Sequence, residues 1–129
     1  RAFPDVAAFG SFEPVLVNGK YDSVYGTSGS CPQFAAMISL INIMRYQKKL
    51  GPLGPLTQTF YQLENGIGFD VTVGQSYATN RQNMCGKKYL PGFETAVGWD
   101  AVTGLGSPKW SVLVDALLDL PGTSSKSNQ

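Results

Sequence analysis

The stretch "VYGTSGSCPQFAAMISLINIMRYQKKL", residues 24–50, decides how the rest of this sequence is read. It opens as a turn of small residues, passes through Ser28, and runs into a long apolar segment. Phe34, Met37, Ile38, Ile41 and Arg45 follow helical spacing, and Ala35, Ala36, Leu40, Ile43 and Met44 make the helix apolar nearly all round. The spacing predicts a helix over 32–50, ended by "RYQKKLGP". Its basic last turn, Arg45, Lys48 and Lys49, suits the negative end of the helix dipole. A helix greasy on most faces belongs in the middle of a domain. Ser28 stands where the first helical N–H groups point, so it reads either as a nucleophile beside a ready anion site or, with Thr27, as the helix cap. Gly26 and Gly29 permit a tight turn and the close approach of another backbone. The chain has no histidine, so the usual imidazole base for a reactive serine is missing.

Upstream, "PDVAAF" (4–9) is apolar and bounded by Pro4 and Gly10, the pattern of a buried strand. "EPVLVNGKYDSVY" (13–25) holds two short strand-like runs around Asn18-Gly19, a strong hairpin signal. Downstream of "GPLGPL", a short helix is expected over 57–64. Residues 65–108 are rich in Gly, Asn, Thr and Ser without a clear period, and a loop of that length is usually functional. A final amphipathic helix is expected over 107–120, capped by Ser107 with Pro108 in its first turn. Residues 121–129 form a polar tail. Strand, hairpin, apolar helix, loop and helix make an α/β chain. So few strands cannot cover both sides of the central helix, so the missing sheet is expected on another chain or on a removed segment.

Composition bounds the rest. At 129 residues, 43% hydrophobic and 12% aromatic, the chain fits one domain or part of a larger one. Ten basic and nine acidic residues are scattered to a net charge of +1. No basic block speaks for nucleic acid, and no apolar run reaches the ~18 residues of a membrane span. An opening at Arg1 without Met suggests a cleaved or truncated product. The two cysteines, Cys31 and Cys85, allow one internal disulfide, two bonds to absent segments, or two free thiols.

Four blocks then resemble one family. Gly26-Thr27-Ser28 with Pro32, Phe34, Ala35 and Ala36 matches G-T-S-x-x-x-P-x-F/V-A, the nucleophile segment of subtilisin-like enzymes and their acid-acting relatives, the sedolisins. Subtilisins carry a histidine after that proline, where this chain has Gln33. "RAFPDVAA" (1–8) resembles the sedolisin R-G-x-P-D-V-S/A-A strand, "FDVTVG" (69–74) its N-D-V/I-T-x-G, and "GWDAVTGLGSPKW" (98–110) its G-W-D-P-x-T-G-x-G-x-P-N-F. The resemblance covers residues 1–120 and identifies them with the C-terminal portion of a sedolisin peptidase domain. It implies a subtilisin-like, doubly wound parallel sheet of which this chain supplies that portion.

The family's chemistry accounts for the absent imidazole, because a carboxyl group matched to an acidic medium can serve as base. The resemblance implies that Ser28 attacks the scissile carbonyl of a peptide or protein substrate. It also implies that a glutamate, its orienting aspartate and an oxyanion aspartate come from an upstream segment or second chain of the same precursor. None of the nine acidic residues here sits in the family's E-x-x-x-D setting. The resemblance further implies one structural Ca²⁺, held by the Asp70 and Asp100 carboxylates and the carbonyls of Val71, Ala96 and Gly98. Taken without it, two loop aspartates read as turn caps; taken with it, their oxygens suit a hard cation. A secreted or lysosome-like acidic compartment is the implied location.

Several positions depart from the pattern. Tyr25 replaces a small residue and is expected to pack rather than line a pocket. Gly29-Ser30-Cys31 replaces the commoner A-S-x, and Ala101 the proline of W-D-P. Cys31 is expected as a small buried residue, and Trp99 and Trp110 as core anchors. Two other readings stand beside the peptidase: a catalytically silent sedolisin-like domain kept for binding or structure, which intact Ser28 argues against, and a subtilisin-type hydrolase, disfavoured by Gln33 and the missing histidine.

Overall fold

The computed structural model describes residues 3–63, 66–78 and 90–122. Two strands, β1 (Glu13–Val17) and β2 (Lys20–Val24), form the hairpin that the sequence predicts. They pair antiparallel from Glu13 opposite Val24 to Val17 opposite Lys20. The turn residues Asn18 and Gly19 both have positive φ, 50° and 74°. That is the primed turn whose twist matches the strands it joins.

Helix α1 spans Thr27–Gln47. It starts five residues before the predicted boundary, so Ser28 lies inside the helix and Pro32 does not begin it. Lacking an N–H, Pro32 offers no hydrogen bond to the Ser28 carbonyl four residues back. At the other end, Lys49 turns left-handed (φ 60°). Its N–H donates to the Tyr46 carbonyl at 2.9 Å and the Leu50 N–H to the Arg45 carbonyl at 2.9 Å. This pair of bonds is the Schellman closure, made here without glycine.

Helix α2 covers Thr57–Gln62, and helix α3 covers Trp110–Leu117. The stretch expected as an unpatterned loop contains four short strands: β3 (Gly68–Phe69), β4 (Gln75–Ala78), β5 (Leu90–Glu94) and β6 (Ser107–Pro108). β3 pairs antiparallel with β6, and β4 with β5. The β3–β6 pairing corrects the expected start of the last helix. Ser107 and Pro108 are strand residues, the Lys109 N–H donates to the Ile67 carbonyl at 3.0 Å, and Lys109 occupies the N-cap.

Residues 4–9 are not a strand. Their backbone partners lie in a loop, where the Ala7 N–H donates to the Gly106 carbonyl (3.0 Å) and the Leu105 N–H to the Asp5 carbonyl (2.9 Å). Gly104 makes this approach possible, since its φ is 63° and a Cβ there would collide with the Pro4 and Asp5 carbonyls. The Trp99 indole N–H adds a bond to the Pro4 carbonyl at 2.8 Å, and the Tyr61 hydroxyl one to Asp5 at 3.0 Å.

The core is Ile41, Phe60, Ile67, Leu113 and Leu117, ringed by half-buried Phe34, Met37, Ile38 and Leu105 among others. Phe34 meets Phe60 edge to face with ring centres 5.7 Å apart. Only one face of α1 is covered, and Leu40, Ile43 and Tyr46 are exposed. Trp99 and Trp110 are exposed as well, because the first serves as a hydrogen-bond strut and both lie outside the core. Cys31 is exposed on α1, which overturns the expectation of a buried thiol. Cys85 lies outside the described residues. The chain is thus mixed helix and strand, with three two-stranded antiparallel sheets among the described residues; no parallel strand pair is found there.

Candidate active site

Ser28 is the second residue of α1, and it is exposed. The helix is capped at Gly26 without any side-chain hydrogen bond, so neither Thr27 nor Ser28 caps it. The turn before it is held by backbone instead, with the Gly26 N–H donating to the Gly10 carbonyl at 2.8 Å. Ser28 therefore stands on the first turn, where unpaired helical N–H groups concentrate positive potential. A cavity of about 250 Å³ lies beside it, lined by Thr27, Ser30, Cys31 and Phe34 of α1 and by Asp5 and Val6. Those helix positions share one face, and Ser28 lies off it. Tyr25, just before the turn, packs its ring edge-on to Phe12 with centroids 5.1 Å apart, in agreement with the expectation that it packs.

One contact at this turn escaped the sequence reading. Glu13, at the start of β1, accepts a hydrogen bond from the Gln33 side-chain amide. Its carboxyl group also fills the space that a Cβ on Gly29 would occupy.

The second set of residues gathers elsewhere. The Gly98 N–H donates to Asp70 Oδ2 at 2.7 Å. The Ala96 N–H donates to Asp100 Oδ2 at 3.2 Å. Asp100 is 5% exposed. Its Oδ1 accepts from the Val102 and Thr103 N–H groups at 2.9 and 2.8 Å, and the Thr103 hydroxyl lies 3.3 Å from both oxygens. These bonds hold its carboxyl below the ordinary value of 3.8; the Thr103 N–H acts most strongly, burial opposes it, and the Val102 and Ala96 N–H groups reinforce it. Four of the five residues expected to hold a cation thus fall into two hydrogen-bonded pairs, Gly98 with Asp70 and Ala96 with Asp100, and Val71 follows Asp70 directly. Among the described residues no three acidic, histidine or cysteine side chains cluster. A cation at this loop would therefore draw on two carboxylates and peptide carbonyls, an all-oxygen set that fits a hard ion. Thr103 was missed in the sequence, although an Asp followed three residues later by Thr is a recognisable turn signal.

Comparison with known proteins agrees with the resemblance. The chain is 38% identical over 120 residues to a tripeptidyl-peptidase of Arthroderma otae, covering 93% of this chain and 17% of that protein. It is 36% identical over 124 residues to physarolisin of Physarum polycephalum, covering 94% and 21%, and 37% identical over 124 residues to kumamolisin of a Bacillus species, covering 92% and 20%. No protein-family model matches. These relatives define a family of serine-carboxyl peptidases. The chain belongs to it, as a C-terminal part of a sedolisin. It spans about a fifth of the length of the relatives it matches.

Proposed function

We propose that this chain is the serine-bearing portion of an acid-acting serine-carboxyl peptidase. The observation that carries the reading is Ser28, exposed on the first turn of α1 with no capping bond to occupy it, within a sequence whose relatives are peptidases. Ser28 Oγ attacks the scissile carbonyl while a glutamate of an upstream chain, oriented by an aspartate, takes its proton. The tetrahedral oxyanion is met by N–H groups of the α1 turn and by a second upstream aspartate. Collapse releases the amine, which takes the proton back, and leaves an acyl-enzyme. Water then hydrolyses the ester and restores Ser28. Substrates are peptides or proteins. The subtilisin-like parallel sheet would be completed by the same upstream chain, over the bare face of α1.

Asp70 and Asp100 with the carbonyls of Val71, Ala96 and Gly98 would hold one Ca²⁺. The ion would brace the loop rather than take part in chemistry, and would stabilise the folded state with the logarithm of its free concentration. A secreted or lysosome-like compartment suits such an enzyme. Among the described residues no helix is long and apolar enough to cross a membrane.

The decisive experiment is labelling by a peptide-aldehyde inhibitor near pH 4. The label is expected at Ser28 and lost in Ser28→Ala; labelling that survives the substitution would sink the assignment. Intact mass under reducing and non-reducing conditions is expected to reveal the partner polypeptide. Asp100→Ala is expected to lose bound calcium, and undiminished metal content would reject the loop as its site.

A further inference from the structure

The first turn of α1 has no acidic residue and no side-chain cap of its own. What it has comes from across the hairpin. Glu13 is paired with Val24, two residues ahead of Gly26, so β2 fixes its distance from the turn. From there its carboxyl group reaches α1 at two points: it accepts from the Gln33 amide and lies over Gly29. Gly29 and Gln33 are four residues apart and stack on one helix face. One side chain therefore spans the two turns that flank the Ser28–Pro32 step, where the helix lacks the hydrogen bond that proline cannot make. One contact point departs from the sedolisin pattern, and the other is the position that sets the chain apart from subtilisins. Glycine stands where alanine is common, and an alanine methyl would push aside the Glu13 carboxyl group that lies over it. Glutamine stands where subtilisins carry histidine.

We infer that Glu13 is a positioning residue for the nucleophile: the Glu13–Gly29–Gln33 contact clamps the start of α1 against the hairpin and fixes where Ser28 stands. The role rests on the peptidase reading for its kinetic consequence but not for its structural one. Displacing a reacting group by an ångström costs about a hundredfold in rate, so a clamp one residue away has leverage.

The test uses the complete peptidase, with this chain and the polypeptide carrying the catalytic acids. Glu13→Ala is expected to lower kcat roughly tenfold or more while KM moves less than about twofold. Glu13→Gln, which keeps an acceptor oxygen for Gln33, is expected to restore most of the rate. Gln33→Ala should match Glu13→Ala, and the double variant should be no worse than either, because both remove the same contact. A kcat unchanged in Glu13→Ala, or losses that multiply in the double variant, would overturn the clamp. Hydrogen exchange of the Cys31, Gln33 and Phe34 amides, the first in α1 with a helical carbonyl four residues back, gives a second readout that needs no turnover. It should accelerate in Glu13→Ala and Gln33→Ala, stay at the wild-type rate in Glu13→Gln, and remain unchanged in all three at Ile41 and Leu113. Exchange at the turn that ignores Glu13 defeats the clamp. Exchange that follows Glu13 in an enzyme that cleaves no peptide defeats the peptidase reading and leaves the clamp standing.

Discussion

The two ends of α1 are built on opposite plans. At the start, Ser28 is exposed, no side chain caps the helix, and the turn is held by one backbone bond from Gly26 and by contacts reaching over from Glu13. At the end, the backbone closes on itself through Lys49 and Leu50, and Arg45 is wholly buried. The Arg45 guanidinium donates to the carbonyls of Gly51 (2.9 Å), Leu117 (2.9 Å) and Leu118 (2.8 Å). One cation thereby satisfies the last carbonyls of α3 and fastens them to the last turn of α1. The difference separates two tasks along one helix. Polar groups at the reactive end are left available, whereas at the other end Arg45 Nε and Nη1 hold α1, α3 and the following loop together, with Nη2 buried and unpaired among the described residues.

The largest effect expected from breaking this contrast is on activity. Ser28→Ala should lower kcat/KM by roughly 10³ or more, as removal of an attacking serine does, yet leave the melting temperature unchanged. An exposed hydroxyl that caps nothing contributes nothing to stability, and a large fall in Tm would mean that Ser28 has a structural role instead. At the opposite end the same comparison reverses. Arg45→Ala should cost about 3–5 kcal/mol of stability, because three carbonyls lose a buried donor. Denaturant unfolding of the complete protein measures it. Arg45→Lys should recover only a part, since an ammonium cannot reproduce the guanidinium fork.

Arg45 also marks a boundary of what could be read in advance. The sequence places it both on the helical series of Ile38 and Ile41 and in a basic last turn with Lys48 and Lys49; only the fold shows that it is wholly buried and what it donates to. The hairpin was legible because Asn18-Gly19 carries its own backbone chemistry. The existence of α1 was legible from its apolar run, but its start was not, because proline signals a first turn and here stands in the second. The pairing of Gly68–Phe69 with Ser107–Pro108 left no trace, as two-residue strands have no period and their partners lie far apart in sequence. At the site, Ser28, Asp70 and Asp100 came from the resemblance to sedolisins. Hydrogen bonds link Asp70 to Gly98 and Asp100 to Ala96, two pairs that the sequence alone did not reveal. Glu13 could not have been found, since its meeting with Gln33 depends on how the hairpin leans on α1.

The Asp100 loop belongs with the closed end of the helix in this contrast, because its carboxyl oxygens are engaged by neighbouring N–H groups. A carboxyl held below its ordinary value of 3.8 contributes stability that is present above that pH. The contribution fades as pH falls below 3.8 toward the lowered folded value. Unfolding measured without calcium should therefore show an acid limb beginning beneath pH 3.8, and Asp100→Asn should flatten it. An unchanged limb would assign the acid sensitivity to other carboxyls. The direction also bears on the proposed working range, since a lowered value keeps Asp100 ionised near pH 4.

The smallest effect sharpens the comparison most. Lys48 makes an ion pair with Asp119 at 2.8 Å, bridging the same two helices as Arg45 a few residues away. Its side chains are 49% and 73% exposed. Water and salt screen such a pair, and fixing two flexible side chains offsets what attraction remains. Lys48→Ala should therefore change stability by about 0–1 kcal/mol, with any loss disappearing in high salt. Were Lys48→Ala to approach the cost of Arg45→Ala, the α1–α3 junction would be held by surface charge rather than by buried carbonyl capping. The contrast between the two ends of the helix would then rest on the wrong residue.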